Sequence, residues 1–265
     1  MSALRQTPAS ASAVSFPRVL RSEWIKLRSL RSTTLTLAAG LAAMVGMAVM
    51  VGLIRNHQWA TMSDLQRQSV SVSYDVHVGG RFLGQLLLGV AGVLVVTGEY
   101  ATGMIRATLA AVPRRLPVLT AKLTLLTLVL GATTLAASFA AWFLGSAVMS
   151  AHWHASLSDP GVLRAVVGQA VVLTATALLG ASLGFLLRNT AAAIATLFGI
   201  VLVLPIVGEL WTAVAPYLPS NALESVALAR PDPDALAPGA GLLLFAAFTA
   251  VVLAGGIWSL LRKDA

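Results

Sequence analysis

The sequence predicts an all-α membrane protein. It has six transmembrane helices, an N-terminal interfacial helix and a short cytoplasmic helix between the second and third spans. Three observations predict this. Hydrophobic residues make up 57% of the 265-residue chain and charged residues only 11%, against about 25% charged in a soluble domain. Six segments free of Asp, Glu, Lys, Arg and His are long enough to cross, or nearly cross, a hydrocarbon core that needs about 20 apolar residues. Lys and Arg cluster on alternate loops.

Residues 1–15 are small and polar and read as a disordered tail. No apolar core follows them before Phe16, so they do not form a signal peptide. Residues 16–265 read as one domain. Segment 16–31 is basic and amphipathic: Leu20, Trp24 and Leu27 share a helical face, with Arg21, Lys26 and Arg28 off it. That pattern suits a helix lying in the membrane interface. Spans follow at about 32–54, 80–98, 123–149, 165–187, 189–208 and 237–261. The second uncharged run is the shortest and borrows residues 79–81, with Arg81 snorkelling to the headgroups. Strict alternation is absent, which argues against a membrane β-barrel. Pro205 and Gly208 kink or end the fifth span. In the outer segment 208–238, Asn221 and Glu224 are spaced to cap a short helix through Ala229, broken by Pro231, Pro233 and Pro238.

Topology follows from the 18 Lys and Arg residues. Only Arg55, Arg67, Arg81, Arg164 and Arg230 fall on one side, and the other 13 on the opposite side. Both termini are therefore expected in the cytoplasm of a plasma-membrane protein. The net charge of +8 orients the chain in the membrane. No basic face interleaved with aromatics points to nucleic acid.

Several functions are disfavoured. The chain has no cysteine, hence no thiolate metal site or thiol nucleophile. No ionisable residue is expected near mid-span, where coupled carriers place theirs. The polar groups there, Gln85, Gln169, Thr174 and Thr176, suit interhelical hydrogen bonds or the lining of a path. Gly180 and Gly184 form a GxxxG that suits close helix packing. His57, His77, His152 and His154 all fall in outer loops. His152 and His154 suit a solvated loop anchored by Trp153 better than a metal site. Lys26, Lys122 and Lys263 follow Ile25, Ala121 and Arg262, so none completes a GxxxxGK phosphate loop. No cofactor, metal or catalytic centre is expected, and any nucleotide hydrolysis belongs to another polypeptide.

The most informative stretch is 97–122, TGEYATGMIRATLAAVPRRLPVLTAK. Residues 99–110 are predicted as a short helix. Pro113 breaks it, Arg114 and Arg115 sit at the headgroups, and Pro117 precedes the third span. The positive-inside rule accounts for the two arginines. It accounts for neither Glu99 nor the Gly103-Met104 pair.

Here the chain resembles a family. Ser22-Glu23-Trp24-Ile25-Lys26-Leu27-Arg28 is similar to the helix before the first span of ABC-2 type transporter permeases of the actinobacterial type. Thr97-Gly98-Glu99-Tyr100-Ala101-Thr102-Gly103-Met104-Ile105-Arg106 resembles the loop after their second span, and the coupling-helix region of the ABCG exporters. With the six-span pattern, the resemblance covers nearly the whole chain. It implies two six-helix halves around a central path, each docked on a cytoplasmic ATP-binding cassette subunit that presses on the short helix. By position, Glu99, Tyr100, Gly103, Met104 and Arg106 lie at or beside that contact, and Glu23, Trp24, Lys26 and Arg28 form the interfacial helix. Glu99 and Arg106 would fix the loop by charge-assisted hydrogen bonds, and Gly103 would admit a partner backbone. The expected partners are an ATP-binding subunit, a second permease half and the bilayer, with no nucleic acid. The alternative is a non-transport assembly or sensory subunit that uses outer loops 55–81 and 208–238.

Overall fold

A computed structural model describes residues 15–29, 31–111, 115–230 and 232–262. The expected tail, the break at Pro113 and Arg114, and Lys263 lie outside the described residues, apart from Ser15. The chain forms α1 (Phe16–Ser29), α2 (Arg31–Gln58), α3 (Asp64–Ser69), α4 (Val72–Ala101), α5 (Met104–Ala111), α6 (Arg115–Met149), α7 (Val162–Leu187), α8 (Thr190–Phe198), α9 (Leu204–Gly208), α10 (Pro219–Glu224) and α11 (Pro238–Arg262). Six helical stretches are long and apolar enough to cross a membrane: 34–61, 72–101, 116–149, 162–187, 190–208 and 238–260. The protein is an all-helical, multi-pass membrane protein.

The expected starts of the second and third spans are corrected. The third, expected at 123–149 with Pro117 before it, begins at 116, and Pro117 sits in the first turn of α6, where a missing N–H is tolerated. The second span is a 30-residue helix rather than the shortest, and the fifth, at 19 residues, takes that place. α4 starts early because its charged residues find partners within the protein. Asp75 accepts from Arg55 Nη2 at 2.6 Å. Arg81 pairs with Glu224 at 3.3 Å instead of snorkelling. His77 lies within α4 and not in a loop. Its Nδ1 bonds the Ser73 carbonyl at 2.7 Å, and its ring stacks 6.1 Å from that of Trp142.

α4 and α7 form the centre. A Cβ on Gly92 would stand 2.0 Å from the Ala177 carbonyl oxygen, and one on Gly180 2.3 Å from that of Gly89. Backbones in direct contact explain the GxxxG, which packs against the second span of the same chain. Around this pair, Gln85 donates to Thr176 at 3.1 Å and the hydroxyls of Thr134 and Thr174 lie 3.0 Å apart. These are interhelical hydrogen bonds of the kind expected for Gln85, Thr174 and Thr176, whereas Gln169 is buried with neither its side-chain nitrogen nor its oxygen hydrogen-bonded.

The fifth span is broken as Pro205 predicts. Between α8 and α9 the helix widens to π geometry over 199–203. The Leu204 N–H bonds Gly199, and Pro205 has no N–H to give, so the Ile200 carbonyl loses both intrahelical donors. The Ser220 hydroxyl supplies a replacement at 3.1 Å. That hydroxyl comes from a segment folded back among the spans. α10 and the turn 225–227 bury Ser220, Ala222, Leu223 and Val226 against α7 and α11. The expected Asn221 cap is not formed. Pro219 starts the helix two residues earlier, and Asn221 instead donates to the Ala215 carbonyl at 2.9 Å.

Candidate functional site

The second span continues through Glu99 and Tyr100 to Ala101, so both residues belong to α4 and not to the short helix. At Thr102 the helix is capped by N–H bonds back to Gly98 and Tyr100. Gly103 then adopts φ of +70°, a left-handed conformation that favours glycine. Nothing lies within 4 Å of where its Cβ would be, so backbone geometry and not crowding selects glycine here. The chain turns and restarts as α5 at Met104.

Beneath this turn lies a buried quartet of charges. Glu23 of α1, Glu99 of α4 and Lys122 of α6 are each under 5% exposed, and Lys26 of α1 is half-buried. Lys122 bonds Glu99 at 2.9 Å and also bonds Glu23. Lys26 bonds Glu23 at 2.6 Å and Glu99 at 3.1 Å. Two carboxylates and two ammonium groups balance, as buried charges must. Lys26 also donates to the Thr108 hydroxyl of α5 at 2.9 Å, and that hydroxyl donates to the Met104 carbonyl. One network thus joins α1, α4, α5 and α6. Burial acts to lower the pKa of Lys26, but Glu23 and Glu99 outweigh it and hold the pKa above the ordinary lysine value.

This geometry revises two expectations. Glu99 is paired with Lys122 and Lys26, not Arg106, and is closed to direct contact with a partner. Arg106 is exposed and makes no ion pair among the described residues. On α1 the buried face is Val19, Glu23 and Lys26, with Val19 against Val118 and Ala121 of α6. Leu20 and Leu27 are partly buried, and Trp24 and Arg28 are exposed. Tyr100 is partly buried beneath the Arg188 guanidinium, 5.5 Å from its ring centroid. The exposed surface around the turn is therefore Thr102, Gly103, Arg106, Ala107 and Ala110.

Sequence reasoning missed Arg188. It ends α7 at φ of +54°, the one positive-φ residue among the described non-glycines. Its Nη2 donates to the Ser259 carbonyl of α11 at 2.6 Å. Asn189 then caps α8 through Ala192 N–H, so two residues join the fourth and fifth spans.

At the opposite end, His152 stacks on Trp59 with centroids 4.3 Å apart, and the Trp153 indole donates to the Arg67 carbonyl at 3.0 Å. Among the described residues, no three His, Asp or Glu side chains converge as a metal site would require. No protein-family profile, curated protein or solved structure matches this chain.

Proposed function

We propose that the chain is the membrane-spanning permease subunit of an ATP-binding cassette transporter, working as an exporter. A separate cytoplasmic ATP-binding subunit docks on α5, and a second permease half completes the path. The observation that carries this is the fixing of α5. It lies outside the spans, its Thr108 is held by Lys26, and the buried quartet ties Lys26 to the ends of the second and third spans. Yet Arg106, Ala107 and Ala110 face outward. A short exposed helix anchored to two spans can receive a push and pass it on. A passive connector needs no such anchorage, because buried ion pairs lose in desolvation much of what they gain in attraction. The excess of Lys and Arg at this end supports its cytoplasmic placement.

The test is co-purification with an ATP-hydrolysing subunit, followed by ATPase and transport assays. Arg106→Ala should weaken coupling at the contact, and Glu99→Ala should weaken it from beneath. Unchanged hydrolysis and normal transport in both variants would sink the assignment.

One observation favours a second reading, a non-transport subunit that binds ligands at its outer loops. Two clefts of about 670 and 810 Å³ open at the end opposite α1. Arg55, Tyr74 and Asp75 line the first, and Trp153, His154 and Arg164 the second. Shortening segment 62–69, which carries α3, while transport is followed separates the two readings.

A further inference from the structure

The outward side of α1 carries a pattern that neither the quartet nor α5 uses. Arg21, Trp24 and Arg28 recur at i, i+3 and i+7, so they form one stripe along the helix. All three are exposed, and the Arg28 guanidinium lies 5.7 Å from the Trp24 ring centroid. Phe16 and Ile25 are exposed beside them. Neither Arg21 nor Arg28 makes an ion pair among the described residues. Glu23, the single acid of α1, is turned inward and matched by Lys26 and Lys122. The buried quartet thus removes the one negative charge from the helix surface, and the outward face is left wholly cationic.

We propose that this face docks on the headgroups of anionic lipids. Only four residues separate the end of α1 from the first span at Thr34, so the helix must lie close to the membrane surface. Phe16 and Trp24 are the exposed apolar residues on the side of the helical wheel that Arg21 and Arg28 border, and Leu20 and Leu27 on the same side pack partly against the protein. In that posture the apolar side meets the acyl region and the indole sits at the interface. The guanidinium groups reach lipid phosphates, which they grip in bidentate fashion. Lipid fits better than a second protein because the cations border an exposed aromatic edge next to a span. The proposal rests on α1 lying against a bilayer and is independent of any ATPase.

The test uses the full chain reconstituted in phosphatidylcholine bilayers. Trace spin-labelled phosphatidylglycerol or phosphatidylcholine reports the relative association of each lipid by electron paramagnetic resonance. The wild-type chain should prefer phosphatidylglycerol, with each arginine contributing up to about fivefold at low salt. The R21Q/R28Q variant should fall toward parity and R21K/R28K should retain most of the preference. Arg230→Gln, at the other end, should change nothing. Raising salt from about 0.05 to about 0.5 M should compress the wild-type preference through screening. No preference in the wild type, or an undiminished preference in R21Q/R28Q, would overturn the proposal. So would loss of a co-purifying protein subunit from R21Q/R28Q with lipid preference intact, which would assign the stripe to that subunit.

Discussion

At the α1 end of the bundle, four helices meet through charges: Glu23, Lys26, Glu99 and Lys122, with Thr108 attached. At the opposite end, the fold-back segment 219–227 meets α7 and α11 through missing side chains. Cβ atoms on Gly168 and Gly241 would stand 2.2 and 2.0 Å from the carbonyl oxygens of Val226 and Ala222. The two chemistries respond differently to movement. Coulomb attraction falls only as the inverse of distance, so a charge joint keeps most of its hold when helices shift by a fraction of an ångström. Van der Waals attraction falls more steeply, losing about a quarter to a half over a gap of about 0.5–1 Å. The charged end is therefore suited to stay joined while it moves, and the glycine-notched end to stay fixed.

Breaking the charge joint should produce the largest effect. Lys122→Met leaves Glu23 and Glu99 facing each other with Lys26 alone between them, and should destabilise the fold by about 3–5 kcal/mol. Denaturant titration in detergent micelles measures this. At the other end, Gly168→Val should lose about 1–3 kcal/mol through overpacking. It should also raise hydrogen exchange in 219–227 while α1 remains protected. Gly103→Ala should lose about 1–2 kcal/mol from the left-handed backbone alone, since no atom obstructs the new methyl group. Its signature is that α5 loosens without change at Glu99. Ser220→Ala strips the Ile200 carbonyl of its donor and should lose about 1 kcal/mol, seen as faster exchange at the π turn.

A pH series sharpens the same contrast. The Lys26 pKa is raised in the folded state, so its contribution is complete below the ordinary lysine pKa. That contribution is lost as pH rises through the higher folded value. Stability should therefore hold across neutral pH and fall on the alkaline side of that window, and Lys26→Met should flatten this limb. An acid-side loss that Lys26→Met abolishes would contradict the assignment.

The six spans were legible because apolar runs are a strong signal, and the kink at Pro205 because proline withholds a donor. The start of α4 was not legible. Asp75 and His77 read as loop residues, and Arg81 as a cation snorkelling at the outer end of the span, until Arg55, Trp142 and Glu224 are known to receive them. The quartet left a trace that went unused. Glu99 directly follows the uncharged run of the second span and Lys122 directly precedes that of the third, so both lie at the same depth, and Glu23 and Lys26 share a helical face at i, i+3. Of the two residues expected to fix the loop, Glu99 does so through Lys26 and Lys122, and Arg106 does not, because the turn at Gly103 carries it onto the exposed side of α5. The Asn221 cap failed because Pro219 already occupies the first helical turn.

The central claim, that α5 receives an ATP-binding subunit, is tested most directly by cross-linking. The chain has no cysteine, so Ala107→Cys places a single thiol on the exposed face of α5. In native membranes this thiol should cross-link to a polypeptide that binds ATP. The yield should change between nucleotide-free and nucleotide-trapped states, and Tyr217→Cys at the opposite end should give no such product. Failure of Ala107→Cys to capture an ATP-binding polypeptide in any nucleotide state would contradict the account.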